Sequence, residues 1–174
     1  MRLAAAALAL GLAVAAHAAP PPLPAAVAAE LPALKALGDA RFRFFLIHVY
    51  DASLWTAGEA YDADRPFVLD IRYAMDVTGA DLAKRSIVEM RKQGHADEQK
   101  LARWDEAMRR VFPDIRKGDR LVGVYVPGRE ARFFNQKGLI GSVADAEFAR
   151  AFFAIWLDAR TSEPELRRRL LQLE

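Results

Sequence analysis

The apolar positions of the chain recur in three rhythms, and each predicts a different element. Arg41 to Tyr50 (RFRFFLIHVY) is dense in aromatic and β-branched residues. It alternates at its outer end and is apolar on both faces at its inner end, which predicts a strand entering a core that covers both sides. In such a strand Phe42, Phe44, Leu46, His48 and Tyr50 share one face, and Arg41, Arg43, Phe45, Ile47 and Val49 the other. Ala52 to Thr56 predicts a short partner strand. Pro66 to Met75 alternates more cleanly, with Phe67, Leu69, Ile71, Tyr73 and Met75 on one side and Asp70 and Arg72 on the other.

The period then changes. Thr78-Gly-Ala-Asp81 is a capping-box pattern, and Ala80, Ala83, Ile87 and Met90 follow at helical spacing up to Gly94. A second helix is predicted over Glu98 to Val111, with Leu101, Trp104, Met108 and Val111 on one stripe, ended by Pro113. Leu121 to Val126 is a continuous apolar run and predicts a central strand, with a turn at Pro127-Gly128. Ala131 to Phe134 and Leu139 to Ile140 read as a hairpin around Asn135 to Gly138. Ser142-x-x-Asp145 predicts the start of a helix bearing Phe148, Phe152, Ile155 and Trp156. Ser162-x-x-Glu165, with Pro164 in its first turn, predicts a last helix bearing Leu166, Leu170 and Leu173.

Strands, two helices, strands, two helices is an α+β plan: an antiparallel β-sheet with helices packed on one face. It is not the βαβ rhythm of a nucleotide fold. Ahead of it, Met1-Arg2 is a short positive start, Leu3 to Ala16 is apolar or small, and Ala16-His17-Ala18 fits a small-x-small cleavage site. The run is shorter than the roughly 20 residues that span a bilayer. Residues 1–18 are therefore expected to be a secretory signal cut after Ala18, leaving a periplasmic or secreted protein that does not span the membrane. Residues 19–29 are expected to be an extended Ala/Pro-rich linker without a packed core, followed by one domain over residues 30–174.

Composition removes several chemistries. The 174 residues include no Cys, so disulfides, thiol catalysis and Cys-ligated metals are absent. Lys+Arg is 25 against Asp+Glu 23, which predicts no nucleic-acid partner. There is no P-loop, dinucleotide glycine motif, zincin motif or nucleophile elbow, and no cofactor or metal is expected. Beyond the signal segment only His48 and His95 remain. His95 reads as a solvated loop residue, and His48 as a core histidine that could also face a ligand held on the sheet. Arg41 and Arg43 would place a guanidinium at the mouth of an apolar cleft, suited to an acidic ligand such as a fatty acid.

Val49-Tyr50-Asp51-Ala-Ser-Leu54-Trp55, Phe67-Val-Leu-Asp-Ile-Arg-Tyr73, Trp104 to Phe112-Pro113-Asp114, Lys117-Gly118-Asp119, Phe152-Phe153-x-Ile155-Trp156-Leu157-Asp158 and Pro164-x-Leu166 together resemble the chalcone isomerase-like proteins of bacterial envelopes. The resemblance spans about residues 30 to 173 and implies the chalcone isomerase fold. Its superfamily includes plant enzymes that close a flavanone ring and non-catalytic members that bind fatty acids. The plant enzymes use an Arg, a strand Thr, a helix Tyr and Asn, and a Thr on a late helix. Anchored on Val49-Tyr50, the strand Thr falls at Phe45. The Tyr/Asn helix falls at Glu98 to Val111, which holds Trp104 and neither residue, and the late Thr falls near Ile155. Arg41 stands near the Arg position. Apolar groups thus replace the donors that ring closure requires. The resemblance implies an exported binding protein for a hydrophobic or amphipathic small molecule, with Arg41, Arg43, Phe45, His48, Tyr50, Trp104 and Ile155 as candidate ligand-binding residues and no catalytic set. The alternatives are an isomerase using His48 or Tyr50, and an envelope interaction module without a ligand.

Overall fold

The run expected to be one strand at 41–50 is instead the end of a hairpin. In the computed structural model, which describes residues 19–173, β1 (Lys35–Phe44) turns at Phe45-Leu46 into β2 (Ile47–Thr56), and Phe44 pairs directly with Ile47. The turn carries no Gly, Asn, Asp or Pro, so nothing local announces it, and an alternation reading runs straight through. The expected signal segment lies outside the described residues.

Four further strands follow: β3 (Phe67–Tyr73), β4 (Arg120–Val126), β5 (Glu130–Asn135) and β6 (Gly138–Val143). With β1 and β2 they form one antiparallel sheet in chain order, every neighbour paired with the next. The order needs no crossover, because the chain between Tyr73 and Arg120 leaves β3 and returns beside it at β4. The Gly118 N–H donates to the Tyr73 carbonyl there at 2.8 Å, and the Tyr73 N–H to the Asp119 carbonyl at 3.0 Å.

One face of the sheet, carrying Leu54, Phe67, Leu69, Ile71, Tyr73, Leu121 and Phe133, packs under the helices. These are α2 (Gly79–Lys92), α3 (Glu98–Val111), α4 (Ala146–Leu157) and α5 (Pro164–Leu170). Thr78 caps α2 as predicted, its hydroxyl accepting the Asp81 N–H at 3.0 Å. The other two caps differ from expectation. Ser142 belongs to β6, and Asp145 itself caps α4 by accepting the N–H groups of Glu147 and Phe148. A carboxylate one residue before the helix accepts two donors and outcompetes the upstream serine. Ser162 does not cap α5; its hydroxyl donates to Glu89 at 2.6 Å, and Pro164 opens the helix.

The opposite face is also covered, against the expectation of an unpacked linker. A short helix, α1 (Ala25–Glu30), lays Val27 on Val68, Val122, Val124 and Phe134. Arg120, ion-paired to the buried Asp70, donates to the Pro22 carbonyl at 3.1 Å, and Arg132 pairs with Glu30. An Ala/Pro run conceals this packing, because Val27 alone supplies the fully buried side chain.

Candidate functional site

A bulge in the β1–β2 hairpin shapes the site. Phe42 pairs with Tyr50 but Arg43 pairs with His48, leaving Val49 as the extra residue. The bulge brings Val49 and Tyr50 together onto the wall of a cavity of about 250 Å³ between β1–β3, α2, α4 and the loop before α5. Phe42, Ile71, Tyr73, Phe152, Ile155 and Trp156 are among the apolar residues that complete the wall. The Phe42 and Tyr50 rings stack at 5.0 Å, and Tyr50 meets Tyr73 edge-on at 5.9 Å.

Polar groups gather on the α2 side. Leu82, Ser86 and Glu89, spaced four and three residues apart, place one helical stripe against the cavity, with Arg85 beside them. The Glu89 carboxylate is 7% exposed and takes Arg85 Nη2 at 2.6 Å, Lys92 Nζ at 3.0 Å and Ser162 Oγ at 2.6 Å. Burial opposes its charge, but the bonds from Ser162 and Lys92 and the nearby Arg85 outweigh burial and hold the carboxyl below its usual range. It is a saturated carboxylate, not a poised base. Arg85 is 56% exposed and keeps donors beyond the one it gives Glu89.

The two phenols behave differently. Trp156 Nε1 donates to the Tyr50 hydroxyl at 3.0 Å, leaving the Tyr50 proton without an acceptor among the described residues. The Tyr73 hydroxyl has no hydrogen-bond partner among them. Burial drives both phenols far above their ordinary range, outweighing the Trp156 bond at Tyr50. Both therefore stay protonated and act as neutral donors.

Of the expected ligand-binding set, Tyr50 and Ile155 line this cavity. The other five lie elsewhere. Phe45 is the hairpin turn, 85% exposed. Arg41 bonds Asp51 at 2.7 Å and, with Arg43, lines a separate polar groove along the β1 edge with Glu165 and Arg169. His48 sits beside Asp51, its Nε2 3.2 Å from a carboxylate oxygen but off the line of a hydrogen bond. All four are displaced by the turn and bulge, which break the face assignment of a continuous strand. Trp104 is buried on the α3–α4 seam, donating to Asp145 at 2.9 Å and meeting His95 and Phe148 edge-on. The helix on the cavity is α2, not α3 as the resemblance placed it.

Arg85, Glu89 and Tyr73 escaped sequence reasoning as site residues. Their signal was present: a Ser and a Glu recurring on an inward helical stripe, opposite a strand Tyr. Of the apolar replacements expected to line the site, Ile155 alone does so; the remaining apolar wall comes from other residues, and Asp81, Arg85, Ser86 and Glu89 add polar groups on the α2 side.

A profile described as chalcone isomerase-like matches residues 22–172. A Haemophilus influenzae protein described only as uncharacterized is 29% identical over 138 residues, 78% of this chain. The matched region spans 66% of that relative's length. Among solved structures, the fold is similar to an Arabidopsis thaliana fatty-acid binding protein, with a TM-score of 0.62 at 12% identity, covering 80% of this chain and 87% of that one. At that identity the likeness speaks to fold alone.

Proposed function

We propose, from the premise that this chain belongs to the chalcone isomerase-like family, that it is an exported, non-enzymatic binding protein for an amphipathic small molecule of the fatty-acid class. The observation that carries the reading is the division of the cavity. Its walls are aromatic and aliphatic, while two un-ionised phenols and the Arg85 guanidinium line it together with the carboxylates of Asp81, Glu89 and Glu163. An apolar tail gains roughly 25 cal/mol per Å² buried against such walls. A carboxyl head finds neutral donors in Tyr50 and Tyr73 and a cation at Arg85. The cavity is slightly below the roughly 300–1,000 Å³ of pockets that enclose drug-sized ligands, so a short or medium chain fits inside and a long one emerges at the rim. The fatty-acid binding neighbour supports the same class of ligand. No helix among the described residues is long and apolar enough to cross a membrane.

The test is to express the chain with its own N-terminal segment, recover it from the periplasm, and read its N-terminus and ligand by native mass spectrometry and organic extraction. A start at Ala19 and a co-purifying fatty acid are expected. Retention in the cytoplasm refutes export. Consistently empty protein whose melting temperature no fatty acid moves refutes the ligand.

One observation favours a second reading, an isomerase. Phenol donors beside a guanidinium can stabilise a developing enolate. Turnover of a chalcone panel that is lost in Tyr73→Phe would replace the binding reading with this one.

A further inference from the structure

The β1–β2 hairpin ends in four consecutive exposed apolar residues: Phe44 (54% exposed), Phe45 (85%), Leu46 (92%) and Ile47 (58%). Nothing among the described residues covers them. Exposed single leucines are ordinary, but a contiguous aromatic-aliphatic tip marks a surface that meets another phase or molecule. The turn also holds Phe45 at φ 53°, while Leu46 stays at negative φ. A two-residue hairpin turn of that sign pattern favours glycine at its first position. A bulky residue there is strained, so hairpin stability alone does not account for Phe45.

The cation next to the tip is unpaired. Arg43 leads into it, and Arg116, Lys117 and Lys137 lie on loops at the same end of the sheet, all four exposed and without an ion pair among the described residues. The carboxylates of Asp76, Asp81, Asp114 and Asp119 stand among the loop cations. Asp76 accepts the Lys117 N–H at 2.8 Å, Asp114 the Gly79 N–H at 3.0 Å, and Asp119 the Arg116 N–H at 2.9 Å.

We propose that this hairpin tip is a membrane-docking finger that inserts Phe45 and Leu46 into a bilayer while Arg43 contacts anionic headgroups. A convex apolar point backed by the exposed, unpaired guanidinium of Arg43 matches a lipid interface, whereas a protein partner would need a matching cavity. The finger is continuous with the ligand site, since Phe42 and Val49, two residues in from Phe44 and Ile47, line the cavity. That is about 7 Å along a strand. Docking therefore brings the cavity to the lipid surface. The finger itself does not depend on what the cavity holds.

The experiment is vesicle co-sedimentation of the purified protein with phosphatidylcholine alone and with mixed phosphatidylcholine–phosphatidylglycerol. Phe45→Gly/Leu46→Ser is the central variant, and it relieves the backbone strain, so its melting temperature should hold or rise. Wild type should partition onto the mixed vesicles, less so at high salt. The double variant should bind at least about tenfold more weakly, and Arg43→Gln about fivefold more weakly. All forms carry the same N-terminus, which isolates the hairpin. Ligand extracted from each preparation should be unchanged in the double variant, so a failure of docking is distinguishable from an empty cavity. No partition by wild type, or equal partition by the double variant, overturns the proposal. So does a dimer in gel filtration that the double variant breaks without any vesicle binding, which would make the tip a contact between copies.

Discussion

Replacing Arg85 by Gln removes the only cation that lines the cavity among the described residues. Two effects must be separated. The first is on the fold. Arg85 contacts Glu89 at 2.6 Å, but its side chain is 56% exposed, and Glu89 keeps Lys92 and Ser162 when Arg85 is gone. A half-solvated pair of this kind contributes less than about 1 kcal/mol. The melting temperature should therefore fall by only a few degrees. The second effect is on a bound carboxylate. A hydrogen bond to a charged group contributes about 1.5–3 kcal/mol, and the exposure of Arg85 puts its share at the low end. At 1.4 kcal/mol per decade, the dissociation constant should rise about tenfold. A fatty-acid methyl ester, which has no charge to pair, should lose much less. Isothermal calorimetry on wild type and Arg85→Gln with acid and ester makes a four-way cycle whose coupling isolates the head group. If acid and ester weaken equally, or the acid binds the variant as tightly as wild type, the polar side of the cavity does not hold the head group and the reasoning fails.

Lengthening a saturated fatty acid should tighten binding about fourfold per CH₂, from about 0.8 kcal/mol each, and then plateau once the cavity is full; a displacement titration across chain lengths shows the break. Glu89 bears on acid stability: its folded pKa lies below the ordinary 4.5, so its contribution is complete above that value and lost as pH falls through the lower, folded value. Thermal melts from pH 6 down to pH 3 should show a steep acid limb that Glu89→Gln flattens. Gly123→Ala should destabilise the centre of the sheet, because its Cβ would stand 2.9 Å and 3.0 Å from two Phe153 ring atoms. Overpacking of this kind costs about 1–3 kcal/mol, and an unchanged urea midpoint would refute the tight seat of α4 on β4.

Periodicity along the chain determined the class of fold, because the period-2 stretch at 67–73, the continuous apolar run at 121–126 and the helical stripes at 79–92 and 98–111 arise from local geometry and burial. Those elements appear where the alternation puts them, and Thr78 caps its helix from three residues of sequence. The site was only partly legible. Tyr50 and Ile155 were named, but Arg41, Arg43 and His48 were read from a straight strand that does not exist, and Phe45 and Trp104 came from the resemblance. A turn built from Phe45-Leu46 and a single extra residue at Val49 reverse which side chains face the helices. Neither has a glycine or proline to announce it. The polar side of the cavity belongs to tertiary structure outright. Glu89 reaches Ser162, which is 73 residues away in the chain, and Trp156 reaches Tyr50 across 106. Pairings at that separation depend on how α2, α4 and the loop before α5 settle against the sheet, and no local pattern of apolar and polar residues encodes them.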